Sequence, residues 1–140
     1  MSTVLWANLL QDGFVTSDED DKYALYKHTD KLDRIAKNLG LSSFAAICDT
    51  TDAQFNLSDE ELPEGMESTN EVMALKGAWI SAAEAQSLLS GLIEYVQKNQ
   101  TRFGLFSNDH DAVVEELAQA LSFAKSAKSP LAKFNFCVVT

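Results

Sequence analysis

One amphipathic stretch, residues 81–99, limits most strongly what this 140-residue chain can fold into. Its apolar residues recur at steps of three and four, which places them along one side of a helix. Ser81 stands three residues before Glu84, the spacing of a capping box in which each side chain binds the other residue's backbone amide. The stretch therefore predicts a long helix that begins after Ser81 and buries one side. The residues on that side are Ala85, Leu88, Leu89, Leu92, Ile93 and Val96.

The two ends of the chain carry the signals for strands. Apolar residues dominate 4–10, and the pair Asp12-Gly13 that follows tolerates the positive φ angles of a tight hairpin turn. In residues 133–140 apolar and more polar side chains alternate, which is the period of a strand with one buried side. A terminal strand this apolar is expected to pair with the N-terminal hairpin.

Three further segments have helical periodicity. Residues 22–39 predict a helix that breaks near His28, because Thr29 can cap a second start. Residues 41–48 predict a short helix, and a second long helix is expected from Asn108 or Asp109 until shortly before Pro130. We therefore predict an α+β fold, a single globular domain over residues 1–140. A small, mostly antiparallel sheet formed by the N-terminal hairpin and the C-terminal strand packs there with about four helices.

The charge of the chain limits the classes of partner that it is expected to bind. The sequence has 21 acidic and 11 basic residues, a formal net charge of −10. This field repels phosphate backbones and anionic lipid headgroups but attracts a basic protein surface. The charge therefore argues against nucleic-acid and membrane partners and favours a basic partner protein. The acids of residues 18–21 are interpreted as a solvated loop or the acidic first turn of the next helix.

The cellular setting follows from what the sequence lacks. No apolar run approaches the roughly 20 residues needed to span a bilayer, and residues 1–30 do not have the pattern of a secretory leader. Cys48 and Cys137 lie far apart without metal-binding spacing, which is typical of reduced thiols in a cytosolic protein. A cytoplasmic location is therefore expected, with a bridge between the two cysteines as the alternative.

Acidic residues are concentrated between Lys37 and Lys76, where the sequence has eight acids and no basic residue. Because Pro63 and Gly65 interrupt this segment and few apolar residues are periodic, we predict a long loop over about residues 49–71. Loops of that length in compact domains are typically functional or disordered. The predicted partner-binding residues are Asp59, Glu60, Glu61, Glu64, Glu67 and Trp79, with Phe55, Leu57, Leu62 and Met66 as apolar anchors. The alternative is an acidic surface that only keeps the protein soluble, and for Trp79 the alternative is packing in the core.

Motifs for catalysis are absent from the sequence. It contains no GxSxG, HExxH, Walker or GxGxxG pattern. Neither histidine, His28 or His110, stands at the spacing of a catalytic or metal-binding motif. We therefore predict no catalytic residue, no metal and no cofactor. Two alternatives stay open: a small hydrolase that uses two carboxylates of the acidic segment, and a homodimeric structural protein whose exposed aromatic residues meet across a two-fold axis.

In size and charge the chain resembles small acidic bacterial immunity proteins, which neutralise cognate toxins. The resemblance rests on those two properties, and no motif assigns the chain to a family. It implies a non-enzymatic inhibitor that covers the cationic groove of a nucleic-acid-acting enzyme.

Overall fold

The computed structural model describes residues 2–140 and has an α+β fold. Its strands are β1 (Val4–Gln11), β2 (Phe14–Lys22), β3 (Cys48–Asp49), β4 (Ile80–Ser81) and β5 (Lys133–Val139). The sheet has the order β2-β1-β5-β3, and β4 pairs with β5. All pairings are antiparallel except that of β3 with β5. The predicted sheet, formed by the N-terminal hairpin and the C-terminal strand, is confirmed.

Helices cover both faces of this sheet. They are α1 (Tyr23–Lys27), α2 (Thr29–Asn38), α3 (Thr51–Leu57), α4 (Thr69–Lys76), α5 (Ala82–Asn99) and α6 (His110–Lys125). The predicted short helix at 41–48 is reduced to one 3₁₀ turn, Ala45–Ile47. The break at His28 is present, but Thr29 does not cap α2, because its hydroxyl donates backwards to the carbonyls of Leu25 and Tyr26.

The hairpin turn and the central helix begin as the sequence predicts. Asp12 and Gly13 have φ angles of 53° and 82°, the double positive φ that a two-residue hairpin turn of type I′ requires. The Ser81 hydroxyl accepts a hydrogen bond of 3.0 Å from the amide of Glu84. The reciprocal half of the capping box is not formed, because the Glu84 carboxylate lies near the hydroxyls of Ser81 and Ser42 instead.

The main apolar cluster lies between one face of the sheet and the helices α1, α2, α5 and α6. Phe134 and Phe136 of β5 are fully buried there with ring centroids 5.2 Å apart, and Phe44 packs on Phe136 at 5.4 Å. Five of the six residues predicted for the buried side of α5 have relative exposures of 0%, and Ile93 packs at the edge of the cluster. Removal of this apolar surface from water is the main force that holds such a fold together.

The acids of residues 18–21 correct the sequence interpretation, because they belong to strand β2 and not to a loop or a helix. The register between β1 and β2 shifts at this point, which marks a bulge. The bulge encloses the Lys22 ammonium, which is fully buried and contacts the Asp18 carboxylate at 3.1 Å and the Asp20 carbonyl at 2.9 Å. The free-energy cost of burying the Lys22 charge is thus offset by its pairing with Asp18. A pattern of alternating apolar residues cannot predict such a pair.

The second correction concerns the acidic segment. It is not one loop over residues 49–71, because α3 and the start of α4 lie within it; the loop that remains between the two helices is residues 58–68. The two helices contact each other, α3 contacts β5 and α4 contacts β2. They lie on the sheet face that carries Asn135 and Cys137, opposite the main cluster. Few apolar residues are buried on this face, namely Val4, Ala53, Val72, Met73 and Cys137.

Candidate protein-interaction surface

The connection between α3 and α4 displays all five predicted loop acids to solvent. We call Asp59, Glu60, Glu61, Glu64 and Glu67 the acidic surface; each of them is exposed. Within residues 2–140, none of these five carboxylates forms an ion pair or a side-chain hydrogen bond. The acidic surface therefore carries charge that the protein itself does not neutralise.

The ion pairs of the described chain lie elsewhere. Lys22 pairs with Asp18 at 3.1 Å, and Lys37 pairs with Asp33 at 3.0 Å across one helical turn. Asp109 accepts from Lys27 at 3.2 Å and contacts His28 at 2.8 Å, and these two partners lower its pKa. Three basic residues thus compensate acids in β2, in α2 and at the start of α6.

Two acids of the same segment have a structural role instead. The buried Asp49 carboxylate accepts from the amides of Thr51 and Ala78, both at 2.9 Å, which ties the start of α3 to the chain beyond α4. Asp52 accepts from the Thr69 hydroxyl at 2.7 Å and so joins α3 to α4. These carboxylates hold the two helices side by side and point the connection between them outward.

A buried polar ladder fixes the base of the α3–α4 pair on the sheet. Ser17 donates to Asn8, whose amide donates to Asn135 at 3.0 Å, and the Asn135 amide donates to the Ala78 carbonyl at 2.9 Å. Asn8 and Asn135 are fully buried, so each bond that they form avoids a costly unsatisfied polar group. The only sign of this ladder in the sequence is the presence of two asparagines, Asn8 and Asn135, in segments that have the pattern of strands.

Trp79 lies at the base of the α3–α4 pair and not within the acidic surface. It is half-buried, and its indole N–H donates to the Met73 carbonyl at 2.8 Å, near the end of α4. Of the proposed apolar anchors, Leu57 is 76% exposed, whereas Phe55, Leu62 and Met66 are half-buried. Leu57 and Glu60 line an open cavity of about 590 Å³ at the end of α3.

The structure adds one acidic feature that the sequence interpretation missed. Because β2 is an edge strand, its residues Glu19, Asp20 and Asp21 are exposed along the side of the sheet. Charged residues on an edge strand discourage pairing with another sheet. Asp21 also accepts from the Trp6 indole at 2.8 Å. Consecutive acids have low strand propensity, so the sequence does not predict that these three residues belong to a strand. Only their pairing with β1 in the structure shows it.

Five surface cavities of the described chain are each lined by a single acid: Glu94, Glu84, Glu60, Asp30 and Glu71, respectively. Burial raises the pKa of Glu116, but its carboxylate accepts from the amides of Leu25 and Ala24 and so caps α1. A glycosidase-type site would need two acids facing one substrate-sized space.

The histidines and cysteines also have local partners or no reactive setting. His28 contacts Asp109, and a His110 ring nitrogen lies 2.7 Å from the Thr101 carbonyl. Both cysteines are free, and burial raises the pKa of Cys48 to about 12 and raises that of Cys137. A thiol with a raised pKa is a poor nucleophile at neutral pH.

Two other classes of site are not found in residues 2–140. No group of three or more His, Cys, Asp or Glu side chains in this part of the chain is placed to hold a metal ion. None of its helices has the length and apolarity that would let it cross a membrane.

Comparison with known proteins finds no match among protein-family models, curated proteins or solved structures.

Proposed function

We propose that this protein is a non-enzymatic interaction domain that binds a basic partner protein through the acidic surface. The observation that carries the proposal is the density of uncompensated charge on one connection. Asp59, Glu60, Glu61, Glu64 and Glu67 are exposed and unpaired in the described chain, and the sequence has no basic residue between Lys37 and Lys76. A partner with lysines and arginines at matching positions would supply the missing counter-charges.

Electrostatics would act on both the rate and the selectivity of this association. Five carboxylates lie within ten residues of chain, so their fields add at distances comparable with the Debye length of about 8 Å at physiological ionic strength. Such a field accelerates encounter with a basic surface and repels acidic competitors. Leu57, exposed beside Glu60, supplies an apolar contact that a purely electrostatic encounter lacks.

The finer proposal is an inhibitor of the immunity type. Here the basic partner is an enzyme that acts on nucleic acid, and the acidic surface covers its cationic groove. What supports this form is the size and charge of the chain together with the outward orientation of its unpaired acids.

The test compares two variants with equal net charge. D59N/E60Q/E61Q/E64Q removes four charges from the acidic surface, and D12N/D30N/D111N/E115Q removes four exposed charges elsewhere. Wild type and both variants are immobilised and exposed to lysate of the source cell at low salt, and proteins released by high salt are identified by mass spectrometry. The same partner is then purified, and its association rate is measured against all three proteins.

We expect a basic protein that binds wild type and the control variant but associates more slowly with D59N/E60Q/E61Q/E64Q, with a flatter salt dependence. Equal binding of that partner to both variants would show that net charge alone matters. It would remove the acidic surface from the function.

A further inference from the structure

The loop between α5 and α6 holds two large apolar side chains in water. Leu105 is 83% exposed and Phe106 is 97% exposed, and we call this pair the apolar tip. Single exposed apolar residues are common on protein surfaces, but adjacent ones at the end of a connection form a patch that is typical of an interaction site.

The apolar tip is held by a well-connected loop. Phe103 is fully buried beneath it, and the Arg102 side chain donates to the carbonyls of Gly104 at 2.9 Å and Leu105 at 3.2 Å. The Asn108 side chain accepts from the amides of Phe103 and His110. Bonds that fix a loop before binding reduce the entropy lost on association.

Gly104 shows how closely this loop is folded. Its φ is 109°, a conformation that residues with side chains rarely adopt, and a Cβ atom there would overlap the Ser107 carbonyl oxygen. Gly104 therefore permits the tight fold of the loop, and this fold leaves the Leu105 and Phe106 side chains exposed to solvent.

A groove with an apolar lining lies beside α5, the helix that leads into this loop. It has a volume of about 450 Å³ between the end of α2 and the second half of α5. Its apolar lining comes from Leu39, Leu41 and Tyr95, and Leu39 is 41% exposed although it is apolar. Glu94 supplies a carboxylate at the groove, and Lys98 and Asn99 complete its lining near the end of α5.

We propose that two copies of this chain form a two-fold dimer in which the apolar tip of each copy enters the groove of the other. Lys98 lines the groove and Arg102 stands at the base of the tip, four residues further along the chain, so a two-fold axis near this end of α5 brings both contacts together. Each tip presents the Arg102 guanidinium to the Glu94 carboxylate of its partner groove. Apolar side chains of the tip thus meet the apolar lining of the groove, and a cation meets an anion. Because the axis is two-fold, the assembly is complete with two copies.

The dimer uses a different part of the molecule from the acidic surface. Helix α5 packs against the main apolar cluster on one face of the sheet, whereas α3 and α4 cover the opposite face. The two associations also differ in long-range charge. Two chains of net charge −10 repel each other outside the Arg102–Glu94 contacts, whereas a basic partner is attracted.

Sedimentation velocity over a range of protein concentrations and at two salt concentrations tests the proposal. Wild type is compared with L105S/F106S and with F14S/L131S, which also removes one exposed Phe and one exposed Leu. We expect wild type and F14S/L131S to dimerise as concentration rises, and L105S/F106S to need a roughly tenfold or higher concentration. A wild type that stays monomeric at all concentrations, or an L105S/F106S variant that dimerises like wild type, would overturn the proposal.

A mixing experiment identifies the contact itself. L39D places a charge in the groove at an exposed position, and circular dichroism checks that it folds. L39D and L105S/F106S each lack one half of the contact and should be monomeric alone, but the mixture retains one tip and one intact groove. Partial recovery of the dimer on mixing is expected. Absence of recovery, with both variants folded, would show that tips do not enter grooves.

Discussion

The two faces of the sheet are covered by helices that are held in different ways. On one face, α1, α2, α5 and α6 enclose a continuous apolar cluster around Phe134 and Phe136. On the other, α3 and α4 bury few apolar side chains and are fixed by the hydrogen bonds of Asp49, Asp52 and Asn135. The first layer gains its stability from burial, and the second depends on a small number of polar contacts.

This difference indicates where the molecule can tolerate uncompensated charge. Repulsion among the acids of the 58–68 connection acts on the layer that adds least to the main cluster, so it costs little overall stability. Regions with few buried apolar contacts are also those that open locally at the lowest free energy. A layer of this kind suits a surface that adapts to a partner, whereas the α5 layer suits a fixed scaffold.

The largest expected effect comes from removing apolar volume in the main cluster. F136A removes a fully buried ring that contacts both Phe44 and Phe134, so its free energy of unfolding should fall by about 3–5 kcal/mol. Urea denaturation measures this change. F106A, at a 97% exposed position, should change it by less than about 0.5 kcal/mol. Similar losses in the two variants would mean that the core is not where we place it.

The next effect tests whether the second layer opens by itself. D49A leaves the amides of Thr51 and Ala78 without their acceptor and should cost about 2–3 kcal/mol. Hydrogen exchange should show faster exchange in α3 and α4, while protection in α5 is retained. If exchange rose equally in α5, the two layers would unfold together and the comparison between them would fail.

A smaller, pH-dependent effect is expected in the first layer. Burial alone would raise the pKa of Asp33, but hydrogen bonds from Ser43 and the Ala45 amide, together with Lys37, outweigh it and lower the pKa from 3.8 to about 2. Because the folded state holds this carboxyl in its charged form, its contribution is full above pH 4 and is lost as the pH falls towards 2. D33N should therefore be less stable than wild type by roughly 2 kcal/mol at pH 7.

Urea titrations of wild type and D33N between pH 2 and pH 7 measure that difference. It should shrink as the pH falls from 4 towards 2, since the carboxyl of the unfolded chain then binds a proton, and near pH 2 the folded protein begins to do so as well. A difference that stayed constant down to pH 2 would mean that Asp33 acts through packing and not through its charge.

The smallest effect concerns the stability of the charge-depleted protein. D59N/E60Q/E61Q/E64Q should have a free energy of unfolding within about 0.5 kcal/mol of wild type, because these carboxylates have no partner in the described chain. Chemical denaturation at low salt measures it. A large loss of stability would reveal a structural role for these acids and weaken the proposal that they serve a partner.

Local signals explain which elements the sequence predicts well. Helix α5 is predicted from its first residue, because a cap and an apolar stripe are both encoded within nineteen residues. The hairpin turn follows from Asp12-Gly13, whose positive φ angles few other residue pairs accept. The exposure of the acidic surface is likewise expected, since lone carboxylates are rarely buried.

Non-local contacts explain what sequence reasoning missed. The acids of β2 form a strand because the pairing with β1 and the enclosed Lys22 outweigh their low strand propensity. Helices α3 and α4 are short and weakly periodic, and they are stabilised by contacts such as that of Asp52 with Thr69, seventeen residues apart. The hydrogen bond from the Trp79 indole to the Met73 carbonyl depends on where α4 ends, which no spacing in the sequence indicates.

The sequence by itself determined the α+β class, the central helix, the strands at both ends and the excess of negative charge, because each depends on residues close together in the chain. Only the tertiary structure decided that the acidic segment folds into two short helices joined by residues 58–68, which of its carboxylates stay unpaired, and that a groove forms beside the second half of α5, the helix that leads into the apolar tip. These features depend on which distant residues meet, and that is set by the packing of the whole chain.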